Sequence, residues 1–321
     1  MDKRFKVVLT DHVYPDLEYE KTRLSDIGAE LYFLDSKDEK EIAAAAADAD
    51  AVITCYANIS ALVIAGMTKC RIITKTGIGV NNIDVAAASG RGIRVTNVPD
   101  YCIEEVSDHT AALIMALARQ VPRLARNVAG GAWNMGGAGS IARLRGRTLG
   151  LLGFGKIARR TCEKMQSFGM RILCYDPYVS AEQMRDLNAT KAELDEILER
   201  AHFVSLNLPL TPETERMADD SFFSKMRSDA YFVNTSRGGM VDEGALLRAL
   251  GAGGIAGAAL DVLNDETRVA DNPLIRCDNV IITPHAAYYS AESTQELREK
   301  VIADVVAVLG GNPPRYQVNR I

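Results

Sequence analysis

The sequence predicts an α/β protein built from two doubly wound parallel sheets around a cleft. Short apolar segments alternate with helical patterns along the first hundred residues, which is typical of a parallel sheet covered on both faces. The same alternation resumes at Arg147, with a glycine-rich turn after the first strand of the second series. A chain of 321 residues is also long for one α/β domain.

The order of these patterns defines the expected elements. Strands are predicted at 5–9, 30–34, 51–55, 71–74, 93–96, 147–152, 170–175, 203–206, 230–233, 255–260 and 280–282. One long amphipathic helix is expected from Glu104, with a kink at Pro122, because apolar residues recur on one face. The glycine-rich stretch 130–139 is interpreted as a loop leading to the second sheet.

The last amphipathic helix, after Ser290, follows the final strand, and we expect it to pack on the first domain. The first, substrate-binding domain is then 1–100 plus 290–321, and the second, nucleotide-binding domain is 101–289. Two crossings between domains suit a hinged cleft.

Composition excludes several classes of function. A net charge of −5 argues against a nucleic-acid-binding protein, and no apolar run is long enough for a membrane span. A strand begins almost at Met1, with no secretion signal, and the six cysteines are scattered without a Cys-x-x-Cys pair. We therefore expect a cytoplasmic protein with reduced thiols and no metal site.

The central motif is Gly-x-Gly-x-x-Ala, which runs from Gly153 to Ala158 between a strand and a helix. Gly153 allows a sharp turn, Gly155 lets the backbone approach a pyrophosphate, and Ala158 lets the helix pack closely. The free N–H groups at the helix start would face the phosphates. An ordinary βα turn shares this pattern, so its context matters.

That context includes an acid at the tip of the next strand. Asp176 lies 23 positions after Gly153, where a carboxylate can accept hydrogen bonds from an adenosine ribose. A carboxylate there repels a 2′-phosphate, so the pattern favours NAD over NADP. The ordinary alternative is a solvated aspartate.

Three side chains with catalytic potential follow later strands of the second sheet. Arg237, Glu266 and His285 can supply a cation for a substrate, a group that tunes an imidazole, and a proton donor. Each residue taken alone also fits a non-catalytic role, as a solvated arginine, an acid in a surface turn, or a core histidine. The remaining histidines are interpreted as structural: His12, His109 and His202.

Several motifs in order resemble the D-isomer-specific 2-hydroxyacid dehydrogenases over about residues 50 to 310. They are KTGIGVNNID (75–84), GLLGFGKIA (150–158), VSLNLPLTPET (204–214), FVNTSRGGMVDE (232–243) and TPHAA (283–287). The stretch from His285 to Ser290 is most similar to the branch of the C-terminal-binding-protein corepressors, which usually has Trp where this chain has Tyr288.

The resemblance implies the catalytic roles. Arg237 would pair with the substrate carboxylate and polarise its 2-oxo group. His285 would donate a proton during reduction, and Glu266 would hydrogen-bond His285 and keep its imidazole protonated near neutral pH. Substrate contacts are implied for Lys75, Ile78, Gly79, Arg237 and Tyr288. NAD contacts are implied for Gly153, Phe154, Gly155, Lys156, Ile157, Asp176, Pro209, Thr235, Ser236 and Asp261, the last at the nicotinamide carboxamide.

The sequence therefore predicts an NAD-dependent D-2-hydroxyacid dehydrogenase that reduces a small 2-oxo acid. As in the family, we expect a homodimer formed through the nucleotide domain. An alternative is an NAD(H)-sensing, corepressor-like interaction protein with weak activity. A phosphoglycerate dehydrogenase ranks lower, because its longer forms carry an extra regulatory domain.

Overall fold

A computed structural model describes residues 5–135 and 141–321 of the chain. It divides the chain into two compact units: a first unit of Met1–Tyr101 with Ser290–Ile321, and a second unit of Cys102–Tyr289. Each unit holds one wholly parallel sheet, which confirms the predicted fold class. The assignment of the first unit to substrate binding stays a prediction.

The strands and helices are numbered along the chain. The strands are β1 Phe5–Leu9, β2 Ala29–Phe33, β3 Ala51–Thr54, β4 Ile72–Lys75, β5 Arg94–Thr96, β6 Thr148–Leu152, β7 Arg171–Tyr175, β8 Thr190–Lys191, β9 Phe203–Leu206, β10 Tyr231–Asn234, β11 Gly257–Leu260 and β12 Val280–Ile282. The helices are α1 Glu18–Ser25, α2 Glu39–Ala46, α3 Ala61–Gly66, α4 Val85–Gly90, α5 Ile103–Arg119, α6 Val121–Ala129, α7 Lys156–Ser167, α8 Ala181–Arg185, α9 Leu194–Arg200, α10 Asp220–Lys225, α11 Glu243–Gly251 and α12 Ala291–Leu309.

The first unit has the strand order β2-β1-β3-β4-β5, which is the flavodoxin-like order. The chain reverses direction across the sheet between β1 and β3, whose register pairs Val7 with Ala51. All four residues of β3 are buried, as expected for a strand covered by helices on both faces. The carboxyl ends of β1 and β3 therefore form the place where such sheets bind ligands.

Helix α12 packs against α1 and β4 within the first unit. Arg298 on α12 forms a two-pronged ion pair with Glu20 on α1, with Nε–Oε1 and Nη2–Oε2 distances of 2.7 and 2.8 Å. The Arg298 side chain also lies 5.1 Å from the centre of the Tyr14 ring. Arg298 and Glu20 are 7% and 2% exposed, so each charge depends on the other for solvation.

The second unit has the strand order β12-β11-β10-β9-β6-β7-β8. Direction reverses between β6 and β9, and their register pairs Gly150 with Val204. Apolar clusters cover both faces of the sheet; on one of them Phe232 makes edge-to-face contacts with Phe222 and Phe223 at 5.9 and 5.3 Å. The two-residue strand β8 was absent from the prediction.

The predicted single helix after Glu104 is wrong, because the structure contains two helices there. The break falls at Gln120, which has a φ of 54°, and not at Pro122. Pro122 has no N–H to donate to the carbonyl of residue 118 and its ring would clash there, so the first helix ends before it. Pro122 instead occupies the first turn of α6, and Gln120 bonds the Leu117 carbonyl at 2.8 Å.

Several other expectations concern parts or properties of the whole chain. The predicted loop 130–139 and the chain start at Met1 lie partly outside the described residues. Among the described residues, no helix combines the length and apolar character needed to cross a membrane, and no cluster of His, Cys, Asp or Glu is arranged to hold a metal ion. No disulfide bond joins any of the six cysteines, all of which lie among the described residues.

The ion pair between Arg298 and Glu20 gives a stability prediction. Glu20→Gln leaves the buried guanidinium with the more exposed carboxylate of Asp16, at 3.1 Å, as its counter-charge, and we expect it to lower the free energy of unfolding by about 3 kcal/mol. Urea unfolding followed by circular dichroism measures the change. The control Lys21→Met on the same helix breaks an exposed pair with Glu18 and should cost less than about 0.5 kcal/mol. Equal losses in the two variants would contradict the burial argument.

Candidate active site

The carboxyl ends of three neighbouring strands carry the predicted catalytic residues. Arg237 follows β10, Glu266 follows β11, and His285 follows β12, which are adjacent in the sheet. Because parallel strands end at the same edge, side chains far apart in sequence converge there. All three residues belong to the second unit.

His285 and Glu266 form a direct pair. The Nδ1 atom of His285 lies 2.9 and 3.1 Å from the two carboxylate oxygens of Glu266. Nδ1 therefore carries the proton in this contact, since an ionised carboxylate can only accept. Within residues 5–135 and 141–321, Nε2 makes no hydrogen bond, so this nitrogen is available for a ligand.

The surroundings of Glu266 favour its charged form. Burial raises the pKa of this carboxyl group, but the hydrogen bond and charge of His285, a backbone hydrogen bond at Leu263 and the positive charge of Arg237 act in the opposite direction. The net result is a pKa below the usual range. Glu266 is therefore an anion at neutral pH and can hold a charged imidazolium beside it.

The loop that carries Arg237 is held by the side chain of Asn234. Asn234 at the end of β10 bonds the N–H of Ser236 and the carbonyl of Arg237, at 2.9 and 3.0 Å. The next residue, Gly238, allows a close approach: a Cβ there would lie 2.1 Å from the carbonyl carbon of Leu263. Only a glycine brings the Arg237 loop this close to the segment that leads into Glu266.

Asp261 anchors the loop that carries His285. Its carboxylate accepts the hydroxyl of Thr283 and the N–H groups of Ala286 and Ala287, the latter two at 2.9 Å, and its carbonyl accepts the N–H of His285 at 2.8 Å. The carboxylate is buried. His285 has a φ of 51°, an uncommon conformation for a residue other than glycine, and these bonds hold it there.

Helix α5 contributes two residues that the sequence analysis did not assign to the site. Nε2 of His109 lies 2.9 Å from the hydroxyl oxygen of Thr283 and 3.5 Å from Asp261 Oδ1. The neighbouring Thr110 bonds Thr235 Oγ1 at 2.8 Å. A signal was present, since adjacent polar residues interrupt the apolar face of an amphipathic helix, but their partners could not be identified without the fold.

The glycine-rich turn has the form that a dinucleotide needs. Gly153 has a φ of 96°, and a Cβ there would lie 2.5 Å from the backbone oxygen of Asn207, so this position requires glycine. At Gly155 a Cβ would meet no atom within 4 Å. The missing side chain therefore leaves open space at the start of α7, where the helix has no side-chain cap. These features fit a bound pyrophosphate.

Asp176 at the end of β7 already has two backbone partners. Its carboxylate accepts the N–H of Phe154 at 2.8 Å and the N–H of Tyr178 at 2.9 Å. It therefore ties the tip of β7 to the glycine-rich turn, and each oxygen keeps a further lone pair for a ribose hydroxyl. Contact with a ribose stays a prediction.

The other predicted cofactor residues lie along the same edge of the second sheet. Lys156 and Ile157 form the first turn of α7, while Pro209 follows β9 and is exposed. Thr235 and Ser236 follow β10, and the Ser236 hydroxyl bonds the Leu206 carbonyl at 2.8 Å. Their roles in NAD binding stay predictions.

The predicted substrate residues fall in both units. The Lys75 ammonium lies 5.5 Å from the centre of the Tyr56 ring and bonds the Cys55 carbonyl, while Ile78 and Gly79 follow β4 in the first unit. Tyr288 belongs to the second unit, with its ring centre 6.2 Å from that of His285. Their contacts with substrate stay predictions.

One further residue of the first unit stands out at its topological switch point. The buried carboxylate of Asp11, just after β1, accepts the N–H groups of Cys55, Tyr56 and Ala57 at 3.0, 2.7 and 3.2 Å. It shapes the loop after β3. Asp11 is not among the predicted site residues, although an acid directly after a buried strand is a recognisable signal in the sequence.

A cavity of about 340 Å³ opens at the opposite, amino-terminal edge of the second sheet. His202 lines it, and its Nδ1 accepts the N–H of Thr148 at 3.1 Å. Burial lowers the pKa of His202, and the charges of Arg147 and Arg227 lower it further. The cavity shares no lining residue with the catalytic set, which agrees with a structural role for His202.

Comparison with known proteins identifies relatives of the whole arrangement. The family model for the D-isomer specific 2-hydroxyacid dehydrogenase, NAD binding domain, matches residues 111–287. A glyoxylate reductase of Korarchaeum cryptofilum is 38% identical over 277 residues, which are 85% of this chain and 83% of that protein. A D-3-phosphoglycerate dehydrogenase of Archaeoglobus fulgidus is 35% identical over 84% of this chain but only 51% of its own length. The chain thus spans about half of that relative.

Solved structures extend the similarity to both units. The D-lactate dehydrogenase of Aquifex aeolicus, in complex with NAD and lactic acid, superposes with a TM-score of 0.87 at 30% identity, covering 95% of this chain and 96% of that one. The TT0316 protein of Thermus thermophilus gives a TM-score of 0.89 at 31% identity, covering 98% and 100%. The similarity to the corepressor branch stays a prediction.

The two glycines of the turn should respond differently to a methyl group. Gly155→Ala places it in the open space expected for the pyrophosphate, at a φ that any residue adopts, so we expect roughly ten-fold weaker NADH binding with an unchanged melting temperature. Gly153→Ala meets the Asn207 carbonyl and should lower the melting temperature. NADH fluorescence titration and thermal unfolding measure the two effects.

The matched control is Gly251→Ala at the end of α11, where a Cβ also meets nothing within 4 Å. It should change neither quantity. If Gly155→Ala binds NADH as tightly as the wild type, the open space above this glycine does not receive the pyrophosphate.

Proposed function

Because the chain belongs to the D-isomer-specific 2-hydroxyacid dehydrogenase family of NAD-dependent oxidoreductases, we propose that it reduces a small 2-oxo acid to the D-2-hydroxy acid. The observation that carries this proposal is the pair of His285 and Glu266 at 2.9 Å, with the other imidazole nitrogen available. A carbonyl reduction needs such a proton donor at neutral pH.

His285 acts as the acid during reduction and as the base during oxidation. Its Nε2–H gives a proton to the 2-oxo oxygen, and the imidazole recovers a proton from solvent after the product leaves. Glu266 holds the ring through Nδ1 and stabilises the imidazolium by its charge. When bound, the cofactor supplies the hydride that reduces carbon 2 of the substrate.

Arg237 binds the substrate carboxylate and polarises the neighbouring carbonyl group. Its planar guanidinium can hold a carboxylate through two parallel hydrogen bonds, which also orients the carbonyl. As negative charge develops on the 2-oxo oxygen, Arg237 and the imidazolium of His285 stabilise it together. The positive charge of Arg237 also lowers the pKa of Glu266.

The remaining substrate contacts are part of the proposal. The backbone N–H groups of Ile78 and Gly79 are proposed to bind the carboxylate, with Lys75 as a second cation and Tyr288 as an aromatic wall. A lysine offers a point charge without the two-pronged geometry of an arginine. A cytoplasmic homodimer is the assembly and location that accompany this proposal.

NADH oxidation followed by absorbance tests the proposal on a panel of 2-oxo acids. Glyoxylate, hydroxypyruvate, pyruvate, 2-oxobutyrate, phenylpyruvate, 3-phosphohydroxypyruvate and 4-methylthio-2-oxobutyrate form the panel, with NADPH in parallel. Turnover of at least one member supports it, with a D-configured product wherever the reduction creates a stereocentre. NADH binding without turnover of any member would instead favour the NAD(H)-sensing function.

Removal of the proton donor and of the substrate cation should give different kinetic signatures. His285→Ala should lower kcat at least about 100-fold and leave the Kd for NADH nearly unchanged, because the imidazole acts in the chemical step. Arg237→Ala should raise KM and lower kcat together, because it removes both binding and charge stabilisation. Steady-state kinetics with the best panel substrate measure both effects. Wild-type turnover by either variant would contradict the role proposed for the residue it replaces.

Glu266→Gln should lower the rate of reduction near neutral pH. The surroundings of Glu266 keep its pKa below the usual range, so the substitution replaces an anion by a neutral amide beside the proton donor. We expect a roughly ten-fold lower kcat with an unchanged Kd for NADH, measured by steady-state kinetics and fluorescence titration. The control Glu196→Gln removes a carboxylate paired with Arg200 on α9 and should leave kcat in place. A wild-type kcat in Glu266→Gln would refute the role of Glu266.

A further inference from the structure

We infer that His109 is a positioning residue for the acid–base group, acting through Thr283 and Asp261 on the backbone of His285. The inference relies on the proposed function for its consequence but on hydrogen-bond geometry for its basis. His109 lies on α5, far from the strand tips in sequence, and none of the motifs of the chain includes it.

The direction of the hydrogen bonds follows from a count of protons. Thr283 has one hydroxyl proton, which it donates to the Asp261 carboxylate, a group that can only accept. The contact of 2.9 Å between Thr283 Oγ1 and His109 Nε2 must then be a donation from the imidazole. His109 therefore carries its proton on Nε2, and this proton directs the Thr283 hydroxyl toward Asp261.

The chain of bonds ends at a strained residue. The carboxylate that Thr283 bonds also accepts the N–H groups of Ala286 and Ala287, both at 2.9 Å, directly after His285 at its φ of 51°. A left-handed conformation outside glycine persists when its surroundings over-determine it. Loss of the His109 donor frees the Thr283 hydroxyl to rotate, which weakens one of the bonds to the anchoring carboxylate.

The neighbouring residue on α5, Thr110, makes a similar contact with the loop that leads to Arg237. Thr110 donates its proton to the Val106 carbonyl at 2.7 Å, so its contact of 2.8 Å with Thr235 is a donation from Thr235. Thr235 lies two residues before Arg237. Successive positions of α5 thus hold the loops of the acid–base group and of the substrate cation.

The experiment compares three substitutions of His109 in the full-length protein. His109→Leu removes the donor, His109→Gln places an amide N–H near the position of Nε2, and His109→Asn places one nearer to Nδ1. We expect a roughly ten-fold lower kcat for Leu and Asn, because small displacements of a catalytic group are costly, and near-complete rescue by Gln. In all three variants the Kd for NADH should stay within two-fold of the wild-type value, which is a change in binding free energy of about 0.4 kcal/mol or less.

A matched control separates positioning from packing. His202→Leu removes another imidazole that bonds a backbone N–H in the same unit, at the opposite edge of the sheet, and should leave kcat unchanged. An unchanged kcat in His109→Leu, or a loss that Gln fails to restore, would overturn the inference. If the wild type turns over no panel substrate, the proposed function fails. Two measurements that need no enzyme activity then test the positioning role of His109.

The first of these is nitrogen-15 NMR of the four imidazoles, in which His109 should show a protonated Nε2. The second is hydrogen exchange, in which the amides of Ala286 and Ala287 should lose protection in His109→Leu and regain it in His109→Gln. A protonated Nδ1 with a bare Nε2, or unchanged protection in the Leu variant, would overturn the inference.

Discussion

The buried carboxylate of Asp261 is the constraint on which the candidate active site depends. It gathers one hydroxyl and two backbone N–H groups, while its own carbonyl receives the N–H of His285. A buried anion needs such donors, and the loop that supplies them has little freedom left. Because His285 lies in that loop, its imidazole meets Glu266 at a defined distance.

The same device recurs at other strand tips. Asp11 at the end of β1 accepts three successive backbone N–H groups after β3, and Asp176 at the end of β7 accepts those of Phe154 and Tyr178. In each case an acid at the carboxyl end of a strand binds the backbone of a loop. An aspartate is suited to this role because its short side chain reaches neighbouring N–H groups with little rotamer entropy to lose.

The fold and the convergence of the candidate site were predictable because both depend on local patterns. Apolar segments alternating with helices require parallel sheets, and parallel sheets bring the residues after each strand to one edge, which unites Arg237, Glu266 and His285. Features that depend on contacts between distant parts of the chain were not predictable. The break between α5 and α6 lies at Gln120 and not at the predicted Pro122. The hydrogen-bond partner of His109 is Thr283, which lies 174 positions away. Neither event leaves a periodic signal.

The close approach at Gly238 affects which substitutions this protein can accept during evolution. The loops of Arg237 and Glu266 meet through main-chain atoms, at a position where even a methyl group would collide with Leu263. The spacing of the Arg237 and Glu266 loops is therefore fixed by the backbone and by the absence of a side chain at Gly238. Other side chains along these loops can then be exchanged, by evolution or by an engineer, without a change in the distance between the two loops.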